Sequence, residues 1–322
     1  MDLILPSTLS RRSLIRLGAA AAGGAVLGSA VAPGIAEATL PTSPKFNLTA
    51  TEHHLFGPKI MHETHHGIQG FTFDDVNRRL FVVQAQNKGS GADLVVNQVS
   101  ASGKVLGSMV VKRAGHGVSI AAEPVGKTTY IWIECDADKN TKDGRGTALA
   151  RVQFKNITRT SIDSSAKFFK GSKSITAAVD PVNKRLMVRR IENGDWWLSV
   201  WPLSKARAGK AADRLVHIKQ PSYGRTFQGY TFYGQYAYLF YGDGHTDPAK
   251  INSTIRRLNL NTGKFDGDAY VTKAGKSLNY REPEGMAIHK LDNGHVGLFF
   301  GFASHQSGGG ANRYANLYYK QL

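Results

Sequence analysis

The stretch that decides the fold is Gln69-Gly70-Phe71-Thr72-Phe73-Asp74-Asp75-Val76-Asn77-Arg78-Arg79-Leu80-Phe81-Val82-Val83. Two short runs rich in aromatic and β-branched residues flank a polar turn, which reads as a hairpin. The turn recurs almost letter for letter. Asp180-Pro181-Val182-Asn183-Lys184-Arg185-Leu186 follows Ile175-Thr176-Ala177-Ala178-Val179. Three further segments keep the same form: a small or polar entry, an apolar run, a turn and a second apolar run. They are Val118–Ala122 with Thr129–Ile133, Gln228–Phe232 with Tyr236–Phe240, and Glu284–Ile288 with His295–Phe300.

Aligned on Gly70, Ser119, Thr176, Gly229 and Gly285, successive copies lie 49, 57, 53 and 56 residues apart. Paired short strands at such a period are the signature of a β-propeller blade. A small residue opens each inner strand because inner strands crowd the axis. Asp93–Val99, Ala148–Phe154, Leu198–Trp201 and Thr254–Leu260 supply further strands, with Ser102-Gly103-Lys104 and Asn261-Thr262-Gly263-Lys264 as hairpin turns. Ala315–Lys320 and Lys45–Phe56 remain to share a blade and close the ring. The fold class expected is all-β, a single β-propeller of five blades. A β-sandwich or an irregular β-solenoid is the competing arrangement. Ser307–Gly310 is too short to link two domains.

The chain has 322 residues, 41% hydrophobic and 10% aromatic, which supports a core and excludes a disordered polymer. Its one cysteine, Cys135, excludes an intramolecular disulfide and a cysteine-based zinc cluster. Ser10-Arg11-Arg12-Ser13-Leu14-Ile15-Arg16, the Ala/Gly-rich run Leu17–Ala32 and Ala36-Glu37-Ala38 read as a twin-arginine signal peptide. Residues 1–38 are then the signal and 39–322 the propeller domain. A membrane anchor is the alternative, but the run is short and rich in Ala and Gly. The mature protein is expected to be secreted, with no membrane association after signal removal.

Lys and Arg number 41 against 24 Asp and Glu, a formal charge of +17. The first 38 residues hold Arg11, Arg12 and Arg16 against Asp2 and Glu37, so +16 remains from Thr39 onward. Such an excess calls for an anionic partner. Export argues against nucleic acid. The expected partner is an anionic polysaccharide or a teichoic acid, bound by a monomer.

In a propeller, the loops entering the inner strands share one face and converge on the central funnel. Three or four residues before the aligned small residue, every copy offers a histidine or a cation: His66, His116, Lys173, Arg225 and Arg281. Such a ring suits an anion, and two imidazoles can move protons. Either histidine alone would also serve to cap a turn. Gln69, Gln228 and Glu284 stand just before the small residue, placed either to bind substrate or to tie blades together. Glu282 is a further substrate contact or a salt-bridge partner of Arg281, and Tyr223 a proton donor or wall packing. Trp132, Trp196, Trp197 and Trp201 read as blade packing, with Trp196 or Trp197 able to stack on a sugar if exposed.

Asp136-Ala137-Asp138-Lys139-Asn140 has the opening spacing of a calcium loop. The sixth-position glycine is missing and Thr147 occupies the twelfth position, so calcium is the weaker alternative to no cofactor. His53, His54, His62, His65 and His66 lack metalloprotease spacing, and no metal is expected.

His66-x-x-Gln69-Gly70-Phe71, Gly115-His116-Gly117, Arg225-x-x-Gln228-Gly229 and Glu282-Pro283-Glu284-Gly285, behind the twin-arginine leader, resemble a family of secreted bacterial five-bladed propellers labelled teichoic acid biosynthesis protein C. That family is related to phage receptor-binding propellers and to L-rhamnose-α-1,4-D-glucuronate lyase and ulvan lyase propellers. The lyase relatives imply β-elimination beside a uronate carboxylate. Arg225, helped by Lys173 or Arg281, would neutralise the carboxylate. His116, with His66 as partner or substitute, would take the C5 proton. Tyr223 or the other histidine would protonate the leaving oxygen. The family label implies instead a non-catalytic teichoic-acid or cell-wall polyanion binding protein. A glycosidase would want two carboxylates flanking the bond, whereas Glu282 and Glu284 lie two apart on one segment.

Overall fold

The computed structural model describes residues 39–86, 93–141, 144–209 and 211–322. The expected signal peptide lies outside them. Among the described residues no helix is long and apolar enough to cross a membrane.

After β1 (His53–Lys59), blade one contains β2 (Ile68–Asp74), β3 (Arg79–Ala85), β4 (Leu94–Val99) and β5 (Val105–Val111). Blade two contains β6 (Ala121–Val125), β7 (Thr128–Ala137) and β8 (Gly146–Gln153). The chain then sends β9 (Thr158–Thr160) back to run parallel beside β5, before β10 (Lys167–Phe168) completes blade two. Blade three is β11 (Lys173–Asp180), β12 (Arg185–Glu192), β13 (Asp195–Pro202) and β14 (Val216–Lys219). Blade four is β15 (Phe227–Tyr233), β16 (Tyr236–Tyr241) and β17 (Thr254–Asn259), with β18 (Lys264–Phe265) and β19 (Tyr270–Val271) both paired to β17. Blade five is β20 (Glu282–Lys290), β21 (Val296–His305) and β22 (Arg313–Gln321), and β1 is its outer strand.

The ring therefore closes as expected, by pairing an N-terminal with a C-terminal strand. His54 stands opposite Tyr318 and Lys59 opposite Ala315. The closing strand begins at His53 rather than Lys45. The residues before it are spent on packing: Phe46 is fully buried and its N–H donates to Tyr238 Oη at 3.1 Å.

The small residues at the axis have a direct steric cause. A Cβ on Gly229 would lie 2.6 Å from Gly285 Cα, and one on Gly285 would lie 2.6 Å from Gly70 Cα. One on Gly70 would meet the carbonyl oxygen of Gly117 at 2.9 Å. Backbone packs against backbone there. In blade two the expected inner strand, Val118–Ala122, is displaced to β6 at Ala121–Val125. The preceding residues bridge blades instead: Ser119 Oγ donates to Ala177 O at 2.9 Å.

The repeated turns also join blades. Asp74 and Asp180 are fully buried, and each accepts from the two backbone N–H groups and the asparagine side chain that follow it. Asp74 then reaches Thr129 Oγ1 in blade two, and Asp180 accepts the Gly234 N–H of blade four at 2.8 Å. Each gap between blades holds its own apolar cluster, such as Phe81 with Ile131 between blades one and two. Trp132 and Trp201 sit in the gap between blades two and three, as blade packing.

Candidate functional site

Antiparallel pairing puts the start of each inner strand beside the end of the next strand outward: Ile68 faces Gln84, and Phe227 faces Tyr241. The entry loops and the loops joining second to third strands therefore open on one face. His66, His116, Lys173, Tyr223 and Arg225 all belong to it.

His66 ends a turn in which its N–H donates to Glu63 O at 3.3 Å, while its carbonyl accepts from Gln84 Nε2 at 2.6 Å. Its ring nitrogens are both buried without a hydrogen-bond partner, and Nδ1 stands 3.8 Å from Glu63 Oε2. His116 is half-buried between Gly115 (φ 151°) and Gly117 (φ 92°). Those glycines serve Glu134, which is fully buried beneath the loop. Glu134 accepts the Gly117 N–H at 2.6 Å and the Gly146 N–H at 2.5 Å, and a Cβ on Gly115 would collide with its carboxylate.

At the axis, Gln69 Nε2 donates to Glu284 Oε1 at 3.3 Å. Glu284 is 4% exposed, and burial, then the charge of Glu282, push its carboxyl well above the usual range. The charge of Arg145 acts on it in the opposite sense. Burial, then the charge of Asp243, also raise Glu282, which is held by a hydrogen bond from Gln228. Gln228 Nε2 also donates to Gly242 O at 3.1 Å. Gln69 and Gln228 thus tie elements together around the axis.

The expected ring of five basic groups is broken at Arg281. This residue is 3% exposed and turned into the gap between blades four and five. Its Nε donates to Ala274 O at 2.6 Å, Nη1 to Ser253 Oγ at 2.6 Å and Nη2 to Thr272 O at 3.0 Å, and its guanidinium lies 3.8 Å from the Phe302 ring centre. Every nitrogen is used by the fold, so Arg281 offers nothing to a substrate. Lys173 and Arg225 are exposed, and Arg225 Nη1 touches Asn252 O at 3.3 Å. Tyr223 packs at 4.9 Å from Tyr241 and carries Arg256 over its face at 5.0 Å. In the partial calcium loop, Asp136 Oδ1 is paired with Lys167 Nζ at 2.8 Å and Asp138 Oδ1 accepts the Asn140 N–H at 2.9 Å. Positions 142–143 of that loop lie outside the described residues.

A cleft of ≈ 650 Å³ opens on this face between blades three and four. Tyr223 and Arg225 line it, together with residues the sequence reading did not select: Arg189, Gln220 and Tyr241. Trp196 also lines it and is half-buried. Arg189 is 4% exposed, with its guanidinium 3.4 Å from the Trp196 ring centre and 3.6 Å from that of Phe227. One signal marked it. Strand alternation places Arg189 on the side of Met187, which packs into the apolar cluster between blades three and four. A charge at such a position needs a reason.

A family model for the phage 5-bladed beta propeller receptor binding platform domain matches residues 68–319, which includes every inner strand. The chain belongs to this receptor-binding platform family. The platform in this chain is 26% identical over 277 residues to "Putative major teichoic acid biosynthesis protein C" of Bacillus subtilis (strain 168). The match covers 78% of this chain but 58% of that relative, so the platform spans little more than half the relative's length. Among solved structures, it is similar to a thermostable family-43 glycoside hydrolase (13% identity, TM-score 0.47, 78% of this chain and 89% of that one). It is also similar to the catalytic domain of the Coprinopsis cinerea GH62 alpha-L-arabinofuranosidase (12% identity, TM-score 0.42, 84% and 96%).

Proposed function

We propose that the protein is an exported monomer that binds an anionic surface glycan, a teichoic acid or a uronate-bearing polysaccharide, without a cofactor. The observation that carries this reading is the composition of the cleft between blades three and four. Aromatic rings of Trp196, Tyr223, Phe227 and Tyr241 form its wall, and Lys219 and Arg225 stand at its border. Rings of this kind take the apolar faces of sugars, and cations take the charged substituents.

The test is calorimetric titration of the mature protein with polyglycerol phosphate and with a rhamnosyl-glucuronate polysaccharide of the gum arabic type. Binding to at least one is expected, weakening as salt rises. Double-stranded DNA is the comparison polyanion and is expected to bind far more weakly. Silence toward both glycans, or preference for DNA, would reject the reading.

β-Elimination is a second reading, favoured by one observation: His66 keeps both ring nitrogens buried and without a hydrogen-bond partner. Ring nitrogens that the fold leaves without partners keep their capacity to accept a proton. In this reading Arg225 neutralises the uronate, His66 and His116 move protons and Tyr223 faces the leaving group. Ultraviolet absorbance of the conjugated product separates the two readings, because binding alone creates no double bond.

A further inference from the structure

Of the cations lining the cleft, Arg189, Lys219 and Arg225, Arg189 is the buried one. Its Nε donates to Gln220 Oε1 at 2.7 Å, and Gln220 Nε2 donates to Tyr241 Oη at 3.2 Å. Its flat guanidinium is held between the rings of Trp196 and Phe227. Among the described residues neither Nη has a hydrogen-bond partner, and no carboxylate pairs with the group. The acidic residues of the cleft are engaged elsewhere. Asp195 pairs with Lys219 at 2.7 Å, and Asp243 accepts from Thr226 Oγ1 at 2.5 Å and Asn252 Nδ2 at 3.3 Å. Burial pushes Arg189 down to about 9, and the nearby charge of Arg145 adds to the push.

A buried cation without a counter-charge is costly, and two aromatic faces offset only part of the cost. The same rings fix the guanidinium plane, so its two Nη groups can be approached edge-on along the slot. Tyr241 adds a second donor. Its oxygen already accepts from Gln220, and among the described residues its proton has no acceptor. Burial pushes this phenol up to about 12, so it remains a donor at neutral pH.

We propose that Arg189 and the Tyr241 hydroxyl form the subsite that recognises the charged group of the bound glycan, an oxyanion presenting two oxygens to the guanidinium edge. The proposal rests on the reading of the cleft as a polyanion site. A uronate carboxylate and a phosphodiester both meet the requirement. Arg225, exposed nearby, contributes long-range attraction rather than this fixed geometry.

The experiment compares wild type with Arg189→Lys, Arg189→Met and Tyr241→Phe. Each is titrated with polyglycerol phosphate and with the rhamnosyl-glucuronate polysaccharide, and wild type also with glycerol 3-phosphate, methyl glucuronide and neutral methyl glucoside. Arg189→Lys keeps the charge and loses the planar fork, so about a tenfold or greater loss of affinity is expected for it as well as for Arg189→Met. Tyr241→Phe is expected to lose several-fold, about the worth of one hydrogen bond. Whichever charged monomer binds identifies the source of the oxyanion, and the glucoside is expected not to bind. Where an Arg189 variant does not fold, Tyr241→Phe and ligand-dependent shifts of the Arg189 guanidinium resonances in wild type decide the matter. Polymer binding by wild type that persists unchanged in a folded Arg189→Lys and in Tyr241→Phe, or leaves the Arg189 resonances unmoved, overturns the subsite alone. Wild type that binds neither polymer overturns the cleft reading itself, and the subsite with it.

Discussion

Gln69 in blade one donates to the Glu284 carboxyl in blade five across 3.3 Å, joining the first and last inner strands at the funnel mouth. Glu284 is buried beside Glu282, and both features hold its proton on. A carboxyl that binds its proton more tightly folded than unfolded lends full stability below the ordinary carboxylate range. That stability is lost as pH rises through the raised folded value. The loss is up to about 1.4 kcal/mol for each pH unit in that window. Glu284→Gln removes the titration and retains the amide contact. Urea melts at a series of pH values are expected to show the variant gaining on wild type from about pH 4 upward. Parallel curves would contradict this account of Glu284.

Gly229 and Gly285 set the limit of approach at the axis. Both have positive φ, 153° and 71°, and in each case an added Cβ would meet the next blade's backbone at 2.6 Å. Backbone on both sides cannot yield as a flexible side chain would. Gly229→Ala and Gly285→Ala are each expected to cost about 3 kcal/mol or to prevent folding. Gly171→Ala serves as a comparison. It has a positive φ of 77° but open space around the added methyl group, so it should cost about 1 kcal/mol.

Much of the fold was legible because its determinants are local or repeated. The Asp74 and Asp180 turns announce themselves in adjacent residues, and the small residues at the axis recur at the blade period. The site was legible only in part. An entry-loop register locates a backbone position, not the direction of a side chain. Arg281 has the right register, yet Ala274, Ser253 and Thr272 draw its guanidinium inward, and nothing near Arg281 in sequence signals them. Gly115 and Gly117 flank a histidine, but their cause is Glu134, which belongs to β7. Arg189 lies in mid-strand, away from any loop, and its meaning depends on Trp196, Gln220 and Phe227 meeting it through the fold.

Arg225 and Arg281 should therefore separate binding from stability. Removing Arg281 leaves three acceptors unpaired between blades four and five, and Arg281→Met is expected to cost about 3 kcal/mol in denaturant melts. Arg225 is exposed, with a single long contact to Asn252 O. Arg225→Ala is expected to melt within about 0.5 kcal/mol of wild type while losing part of its salt-dependent affinity for polyglycerol phosphate or the uronate polymer. The reverse pattern would return Arg281 to the funnel and remove Arg225 from it.

His66 offers the sharpest division between a structural and a chemical imidazole. A ring with two buried nitrogens and no hydrogen-bond partner is a net cost to the fold, and its nearest acid, Glu63, stands at 3.8 Å. His66→Leu fills similar space without polar atoms, so its melting free energy is expected to match or exceed that of wild type within about 1 kcal/mol. If the protein eliminates across a uronate and His66 moves the proton, the same variant should lose about a hundredfold or more of the ultraviolet-detected turnover. If the protein only binds, neither form produces the chromophore and polymer affinity is retained. A destabilisation beyond about 2 kcal/mol would show instead that the imidazole is held for structure, and the elimination reading would lose its supporting observation.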